Sequence, residues 1–344
     1  METTWRAPGV VALVWLLAGC GGEPGGRALP QATTQPAELA AVTAAAPSRY
    51  FAVAYTAKIP AVPAGAKRLD LWMPVPSSDA QQAVRDVRVI TSLPHELAQD
   101  SEYGNVILHV WSDQPLADSI DVTVRYTVER RAEQAFPSQQ QANVSRTPEP
   151  DDRLLAPDRL GVIDDRIRAL AARITAGKAD TLAKARAIYD YVLAHMTYDK
   201  QAPGWGQGDT RRACEVGKGN CTDFHALFIS LARASGIPAR FGIRFQVPPG
   251  QREGTLAGYH CWAEFWLPGT GWVPVDASEA WKDPGKRAFY FGGLDDDRFR
   301  VSLGRDVRLP GRDGEPVNYL LTPVAEADGR AIAAEKVVTF TAHP

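Results

Sequence analysis

Between Gly217 and Pro238 the chain reads as a loop that turns into a helix and then stops. Gly217 and Gly219 permit a tight backbone approach on the loop side. Phe224, Leu227, Phe228 and Leu231 follow at spacings of 3, 4 and 7 from the first, which is the period of one buried helix face. Gly236 and Pro238 close the segment, since neither continues a helix. Cys221 falls three residues before Phe224, on the buried face but at its open end. The positive end of the helix dipole favours a thiolate there.

The period changes to strands directly afterwards. Residues 239–245, 259–267 and 271–276 each read as a strand, and the turn Pro268-Gly269-Thr270-Gly271 joins the last two as a hairpin. Two helical patterns precede the cysteine. One runs over Ile163, Ile167, Leu170, Ala171 and Ile174. The other runs over Leu182, Ala185, Ile188, Tyr189, Val192 and Leu193, opened by Asp180-Thr181 as a cap. Residues 203–208 form a glycine-rich loop between them and Cys221. Short strands near 305–309, 318–324 and 337–340 are expected to extend the same sheet.

Upstream the pattern is different. Residues 50–56 and 121–128 alternate, with further strand-like runs at 68–73, 84–90 and 106–111 and turn residues between them. This predicts a small β-sandwich over 48–131. A polar, proline-bearing connection follows, and the rest, 132–344, is expected to form a second domain. A length of 344 residues suits two domains.

The N-terminus reads as a targeting segment. Arg6 precedes the apolar run Val10–Leu17, too short to span a bilayer but suited to the apolar region of a secretory signal. The run ends in Leu17-Ala18-Gly19-Cys20, which resembles a bacterial lipoprotein cleavage box. That resemblance implies a signal peptide over 1–19, acylation of Cys20 and export to the cell envelope, on the outer membrane or a periplasmic face. Gly21 rather than an aspartate follows Cys20, so no inner-membrane retention signal is implied. Residues 20–47, rich in Gly, Pro, Ala, Gln and Thr, read as a flexible tether. The formal net charge is −2 with no basic run, which gives no footprint for nucleic acid.

Three residue types then stand in a chemically meaningful order: Cys221, His260 and Asp276. A thiol nucleophile needs a base that trades protons near neutral pH, and histidine is that base. A carboxylate orients the other ring nitrogen. A hairpin over 259–276 can bring His260 and Asp276 together, although its register is open. An aspartate ending a strand also commonly caps a turn. His225, one helical turn after Cys221, is the less favoured base because it points along the helix. The backbone N–H of Cys221 is the natural oxyanion donor, with Trp205 or Gln207 considered for a second.

These blocks carry a resemblance. Gly219-Asn220-Cys221-Thr222-Asp223-Phe224, Gly258-Tyr259-His260-Cys261-Trp262-Ala263-Glu264-Phe265-Trp266 and Gly271-Trp272-Val273-Pro274-Val275-Asp276-Ala277-Ser278 resemble the three signature blocks of the transglutaminase-like superfamily. Gly236-Ile237-Pro238-Ala239-Arg240 and Tyr290-Phe291-Gly292-Gly293-Leu294-Asp295 fit the same pattern. The resemblance covers roughly residues 155–310. It implies an α+β fold with a papain-like core, helices packed on an antiparallel sheet, here preceded by the β-sandwich. It also implies Cys221 as nucleophile, His260 as base, Asp276 as orienting carboxylate, and acyl transfer from an amide through a thioester to water or an amine. A peptide or protein would be the substrate. A non-catalytic envelope module that holds a peptide in the same cleft is the alternative.

No metal or cofactor is called for. Cys214, Cys221, His225 and His260 fit none of the usual zinc spacings. Asp295-Asp296-Asp297 lacks the spaced oxygen ligands of a calcium loop. If Cys20 carries lipid, three cysteines remain in an oxidising compartment. Cys221 must then stay free, which leaves Cys214 and Cys261 as the candidate disulfide, with three free thiols as the alternative.

Overall fold

Alternation along the first strand sets the architecture. In β1 (Ser48–Ile59) the side chains of Phe51, Val53, Tyr55, Ala57 and Ile59 are buried and their neighbours are not. One face therefore seals a core. A computed structural model describes residues 48–114, 119–136 and 150–343 of the chain. Cys20, the apolar run and the tether lie outside the described residues.

The elements follow in order. Strands β2 (Leu69–Val75), β3 (Gln82–Ile90), β4 (His95–Gln99), β5 (Val106–Ser112) and β6 (Ile120–Arg131) come first. Helices α1 (Asp165–Thr175), α2 (Thr181–His195), α3 (Thr210–Val216) and α4 (Cys221–Ala234) come next. Then come β7 (Ala239–Gln246), β8 (Glu253–Thr255), β9 (His260–Leu267) and β10 (Gly271–Val275), the short helix α5 (Ala277–Lys282) and β11 (Arg298–Leu303). Strands β12 (Val324–Ala327), β13 (Arg330–Ile332) and β14 (Glu335–His343) end the described chain.

These strands build three larger antiparallel sheets. Two have five strands, in the orders β8-β14-β1-β6-β3 and β13-β12-β2-β5-β4, and together they form the sandwich. The third has four strands, in the order β10-β9-β7-β11. Helix α4 packs on this third sheet, with its Phe228 against Phe265 of β9 at 6.3 Å between ring centres, and the other helices pack around α4. An α+β core with a sandwich whose first strands precede it is therefore present.

The sandwich differs from the sequence expectation in one respect. It is not closed by residues 48–131. The C-terminal strands complete it: β14 pairs with β1 along Tyr50–Lys58, and β12 pairs with β2. The strand expected near 337–340 thus extends the sandwich and not the helix-bearing sheet. The reason is burial. Val338 and Phe340 face the sandwich core, and β1 would otherwise expose a free edge. The segment 305–324 also departs from the strand expectation. It is mostly loop, with one bridge between Val307 and Val317, and it covers the second face of β2 and β5 through Leu309, Leu320, Trp72 and Ile107.

The edge of the helix-bearing sheet is covered by the sandwich. Side-chain amides satisfy the outer backbone groups of β11. Gln82 exchanges hydrogen bonds with Arg300 at 2.7 and 3.0 Å, and Asn105 with Leu303 at 2.7 and 2.8 Å. An amide supplies one donor and one acceptor, so it mimics a neighbouring strand. Beneath it Phe51, Tyr126, Phe245 and Phe299 form one aromatic cluster, with ring centres 5.7 to 6.3 Å apart.

A fragment of residues 132–344 would leave β14 without β1 and expose Phe340 and Val338. We expect it to aggregate and to show no cooperative urea transition, whereas residues 48–344 unfold as one unit. Phe340→Ala in the full chain should cost about 3 kcal/mol in the same titration. A cooperative transition in the short fragment would show the sandwich strands to be dispensable.

Candidate active site

Helix α4 starts at Cys221 because Asn220 and Asp223 cap it reciprocally. The Asn220 side chain accepts the Thr222 N–H at 2.8 Å, and the Asp223 carboxylate accepts the Asn220 N–H at 2.9 Å. These bonds leave the Cys221 N–H uninvolved. The Asp223 carboxylate also holds the preceding loop, accepting the N–H groups of Gly206 at 2.7 Å and Gly208 at 3.1 Å. Gly219 is required here: a Cβ on it would meet the Asp223 carboxylate at 2.2 Å. Trp205 and Gln207 lie on that same tied loop. Trp205 is 37% exposed, and the Gln207 carbonyl is engaged by Arg305 and Asn318.

The hairpin fixes the other two residues. Ala263 pairs with Val275 and Leu267 with Gly271, so β10 delivers Asp276 close to the start of β9. His260 Nε2 lies 2.7 Å from Asp276 Oδ2. The start of α4 lies against the start of β9: the Cys261 sulfur, next to His260, is 3.9 Å from Oγ1 of Thr222, next to Cys221, so the thiol and the imidazole stand on neighbouring residues of one contact. The three sequence candidates therefore converge, and all are buried.

Asp276 does more than face His260. Its Oδ1 accepts the Glu279 N–H at 3.0 Å and the Ser278 hydroxyl at 3.1 Å, so it is the N-cap of α5. Its Oδ2 also accepts from Arg244 at 2.6 Å and from Arg298 at 2.7 Å. Arg244 sits opposite His260 in the β7–β9 register, and its guanidinium lies 4.7 Å from the Trp262 ring. Gly242, opposite Trp262, makes room for that ring, because a Cβ there would meet it at 2.8 Å. Sequence analysis missed both arginines. Their alternation with Phe241, Ile243, Phe245, Phe299 and Val301 reads as the solvent side of a strand.

The electrostatics follow from these contacts. Burial would raise the Asp276 pKa, but His260, Arg244 and Arg298 outweigh it and hold the carboxyl well below its usual range. Burial disfavours the imidazolium of His260, but Asp276 and the Cys221 thiolate push its pKa up overall. The neighbouring Cys261, and after it His260, hold the Cys221 thiol well below its usual range against the effect of burial. The site thus favours a thiolate–imidazolium pair, the reactive form of such a dyad.

His225 also lies against the site, 3.6 Å from Asp276 Oδ1. It stays neutral: burial pushes its pKa down to about 4, and its Nε2 accepts the Ala277 N–H at 3.1 Å. The candidate disulfide does not form. Cys214, Cys221 and Cys261 are all free thiols. Cys261 faces Thr222 and His225, whereas Cys214 sits on α3, where its carbonyl meets the His195 ring. The short helices α3 and α5 were missed because neither is long enough to show a period. The acidic run is partly consumed by arginines, Asp295 with Arg298 and Asp297 with Arg49.

Asp276→Asn would leave Arg244 as an uncompensated buried charge and leave Arg298 with Asp295 as its close carboxylate. The expected cost is about 3–5 kcal/mol of stability near neutral pH. The sign is fixed by the lowered carboxyl pKa. The stabilisation is fully present above the ordinary aspartate range and is lost as pH falls through the folded value. The gap between variant and parent should therefore close in strong acid. Urea titrations of both proteins across pH test this, and equal stability near neutrality would refute it.

Comparison with known proteins bears on the family and the fold. Residues 168–277 match the family model of the transglutaminase-like superfamily. An uncharacterized protein of Haemophilus influenzae is 28% identical over 312 residues, covering 78% of this chain and 83% of that protein. The uncharacterized protein YebA of Bacillus subtilis is 25% identical over 148 residues, which is 39% of this chain but only 20% of YebA. The solved structure of a candidate cysteine protease from Cytophaga hutchinsonii shares the fold with a TM-score of 0.56 at 15% identity, over 85% of this chain and 90% of that one. The core at residues 168–277 belongs to the transglutaminase-like superfamily.

Proposed function

We propose that this chain is an exported, lipid-anchored thiol enzyme that acts on amides, those of peptides, through Cys221, His260 and Asp276. The observation that carries the reading is Cys221 at the start of α4, packed beside the start of β9, whose His260 is held 2.7 Å from Asp276. The described thiol, imidazole and carboxylate supply each step of acyl transfer.

The Cys221 thiolate attacks the amide carbonyl carbon, and the oxygen gains the charge. The Cys221 N–H at the helix start is placed to stabilise that oxyanion. The His260 imidazolium gives its proton to the departing amine, the C–N bond breaks, and a thioester remains on Cys221. Water or a second amine then adds to the thioester while neutral His260 takes its proton, and Cys221 leaves as thiolate. Asp276 keeps the imidazole oriented throughout and stabilises its charged form. Whether water or an amine completes the cycle decides between hydrolysis and crosslinking.

Brief treatment with iodoacetamide somewhat below neutral pH should modify Cys221 selectively, because its thiolate persists where ordinary thiols are protonated. Burial raises the Cys214 pKa, so that thiol should lag. Mass spectrometry of the Cys221 and Cys214 peptides measures both. Incubation with a peptide mixture should leave an acyl adduct on Cys221, and Cys221→Ala should lower turnover by about a thousandfold or more. An inert Cys221 would end the catalytic reading.

The anchor rests on the apolar run and the Leu17-Ala18-Gly19-Cys20 box. Cys20→Ser should abolish incorporation of labelled fatty acid and move the protein from the membrane to the soluble fraction. Unchanged membrane fractionation of that variant, together with retained label, would refute it.

A further inference from the structure

We infer that Glu279 is a positioning residue for His260: its carboxylate, set beside the ring nitrogen that meets Asp276, is a second anion that holds the imidazole in its charged form. The inference rests on the reading of Cys221 and His260 as the reacting pair.

The cap of α5 explains how Glu279 comes to stand there. Asp276 is the N-cap, and its Oδ1 accepts the N–H of Glu279, the third residue of the helix, at 3.0 Å. A glutamate at that position commonly turns back to accept the N–H of the cap residue. Here that N–H is taken, because Asp276 donates it to the Tyr290 carbonyl at 2.9 Å. The Glu279 side chain is released from its local partner. It turns toward the sheet instead, with Oε1 3.7 Å from His260 Nε2 and Oε2 4.0 Å from the Arg298 guanidinium.

A separation of 3.7 Å is too long for a hydrogen bond but close for charge. Nε2 of His260 is already engaged by Asp276 Oδ2 at 2.7 Å, so Asp276 sets the direction of the ring and Glu279 adds charge. That charge is needed. With His260 protonated, Asp276 faces three cations: the imidazolium, Arg244 at 2.6 Å and Arg298 at 2.7 Å. Asp295, 2.7 Å from Arg298, supplies a second anion, and Glu279 supplies the third. Among the described residues, Asp276 and Glu279 are the carboxylates within 4.0 Å of the His260 ring nitrogens. Burial and Asp276 would raise the Glu279 pKa, but His260 and Lys282 outweigh them, so the carboxyl is ionised near neutral pH. Lys282 meets Glu279 at 2.8 Å from the exposed rim, where solvent screens its charge.

Other charged and titratable groups face the same pair. They are Cys221 and His225 of α4, Arg244 of β7, Arg298 of β11, Asp276 and Lys282 at the two ends of α5, and the phenols of Tyr198 and Tyr290. All remain in place when only Glu279 is changed, which isolates its contribution.

The test compares iodoacetate with iodoacetamide at Cys221 across pH in the full chain, read by mass spectrometry of the Cys221 peptide. Both reagents lose iodide to the thiolate, but iodoacetate is an anion and is drawn to the imidazolium. The ratio of the two rates therefore falls as His260 loses its proton, and the midpoint of that fall reports the titration. Glu279→Gln removes the charge at nearly unchanged size, and Glu279→Ser does so in a smaller side chain should the glutamine variant fold poorly. Glu279→Asp keeps the charge. Loss of the anion disfavours the imidazolium, so the Gln and Ser variants should lower the midpoint by about one pH unit, while Asp stays closer to the parent. A merely structural role would slow both reagents together and leave the midpoint in place. Parent-like midpoints in the Gln and Ser variants, or an Asp midpoint displaced as far as theirs, would overturn the inference alone. A parent in which Cys221 reacts no faster than Cys214 and the ratio shows no fall would instead overturn the reading of Cys221 and His260 as the reacting pair, and this inference with it.

Discussion

The Asp276 carboxylate is the contact on which the core depends. It is fully buried, and a buried carboxylate is tolerated only when it is paired and hydrogen-bonded. Its partners come from separate elements: His260 from β9, Arg244 from β7, Arg298 from β11, and Ser278 and Glu279 from α5. A shift of any of these strands by one residue would turn its partner to the other face of the sheet. The carboxylate therefore enforces the register of the helix-bearing sheet as well as the orientation of His260.

That constraint reaches into the sandwich. Arg298 lies on the edge strand, and an edge strand is the least restrained part of a sheet. The amides of Gln82 and Asn105 hold its backbone, and the Phe51, Tyr126 and Phe245 rings hold Phe299 beside Arg298. The sandwich strands that precede the core thus steady a charge that touches Asp276. The C-terminal strands, by closing the sandwich, serve the same end from the far side of the sequence.

Much of this was legible in the sequence, and the limits have physical causes. α1 and α2 announce themselves because each buries a stripe with a 3.6-residue period, α4 is buried on every side, and all three start at an aspartate or asparagine cap. The β9–β10 hairpin is local, so its turn residues predict it. His260 and Asp276 are only 16 residues apart, and proximity along the chain made their pairing readable. Arg244 and Arg298 were hidden because an arginine in an alternating strand reads as solvated. Asp276, 32 and 22 residues away, is what makes the burial of Arg244 tolerable and, with Asp295, that of Arg298. The partner of β14 is farther still, since β1 lies at the other end of the described chain. Alternation reveals that a strand exists and which face is apolar. It does not reveal which sheet the strand joins.

Charge balance explains why so many ionised groups can share this buried place. Arg244, Arg298 and His260 carry positive charge, with Lys282 exposed at the rim, and Asp276, Asp295, Glu279 and Cys221 carry negative charge in the thiolate form. The cluster is close to neutral, so neither sign is left uncompensated in a low dielectric. On the proposed chemistry the balance survives acylation. Thioester formation removes the negative charge of Cys221, and proton transfer to the departing amine removes the positive charge of His260. Both charges vanish in the same half-reaction and return together when the thioester is released. Asp276 keeps its two arginines at every stage, so the scaffold that positions His260 need not rearrange while the thiol is consumed and regenerated.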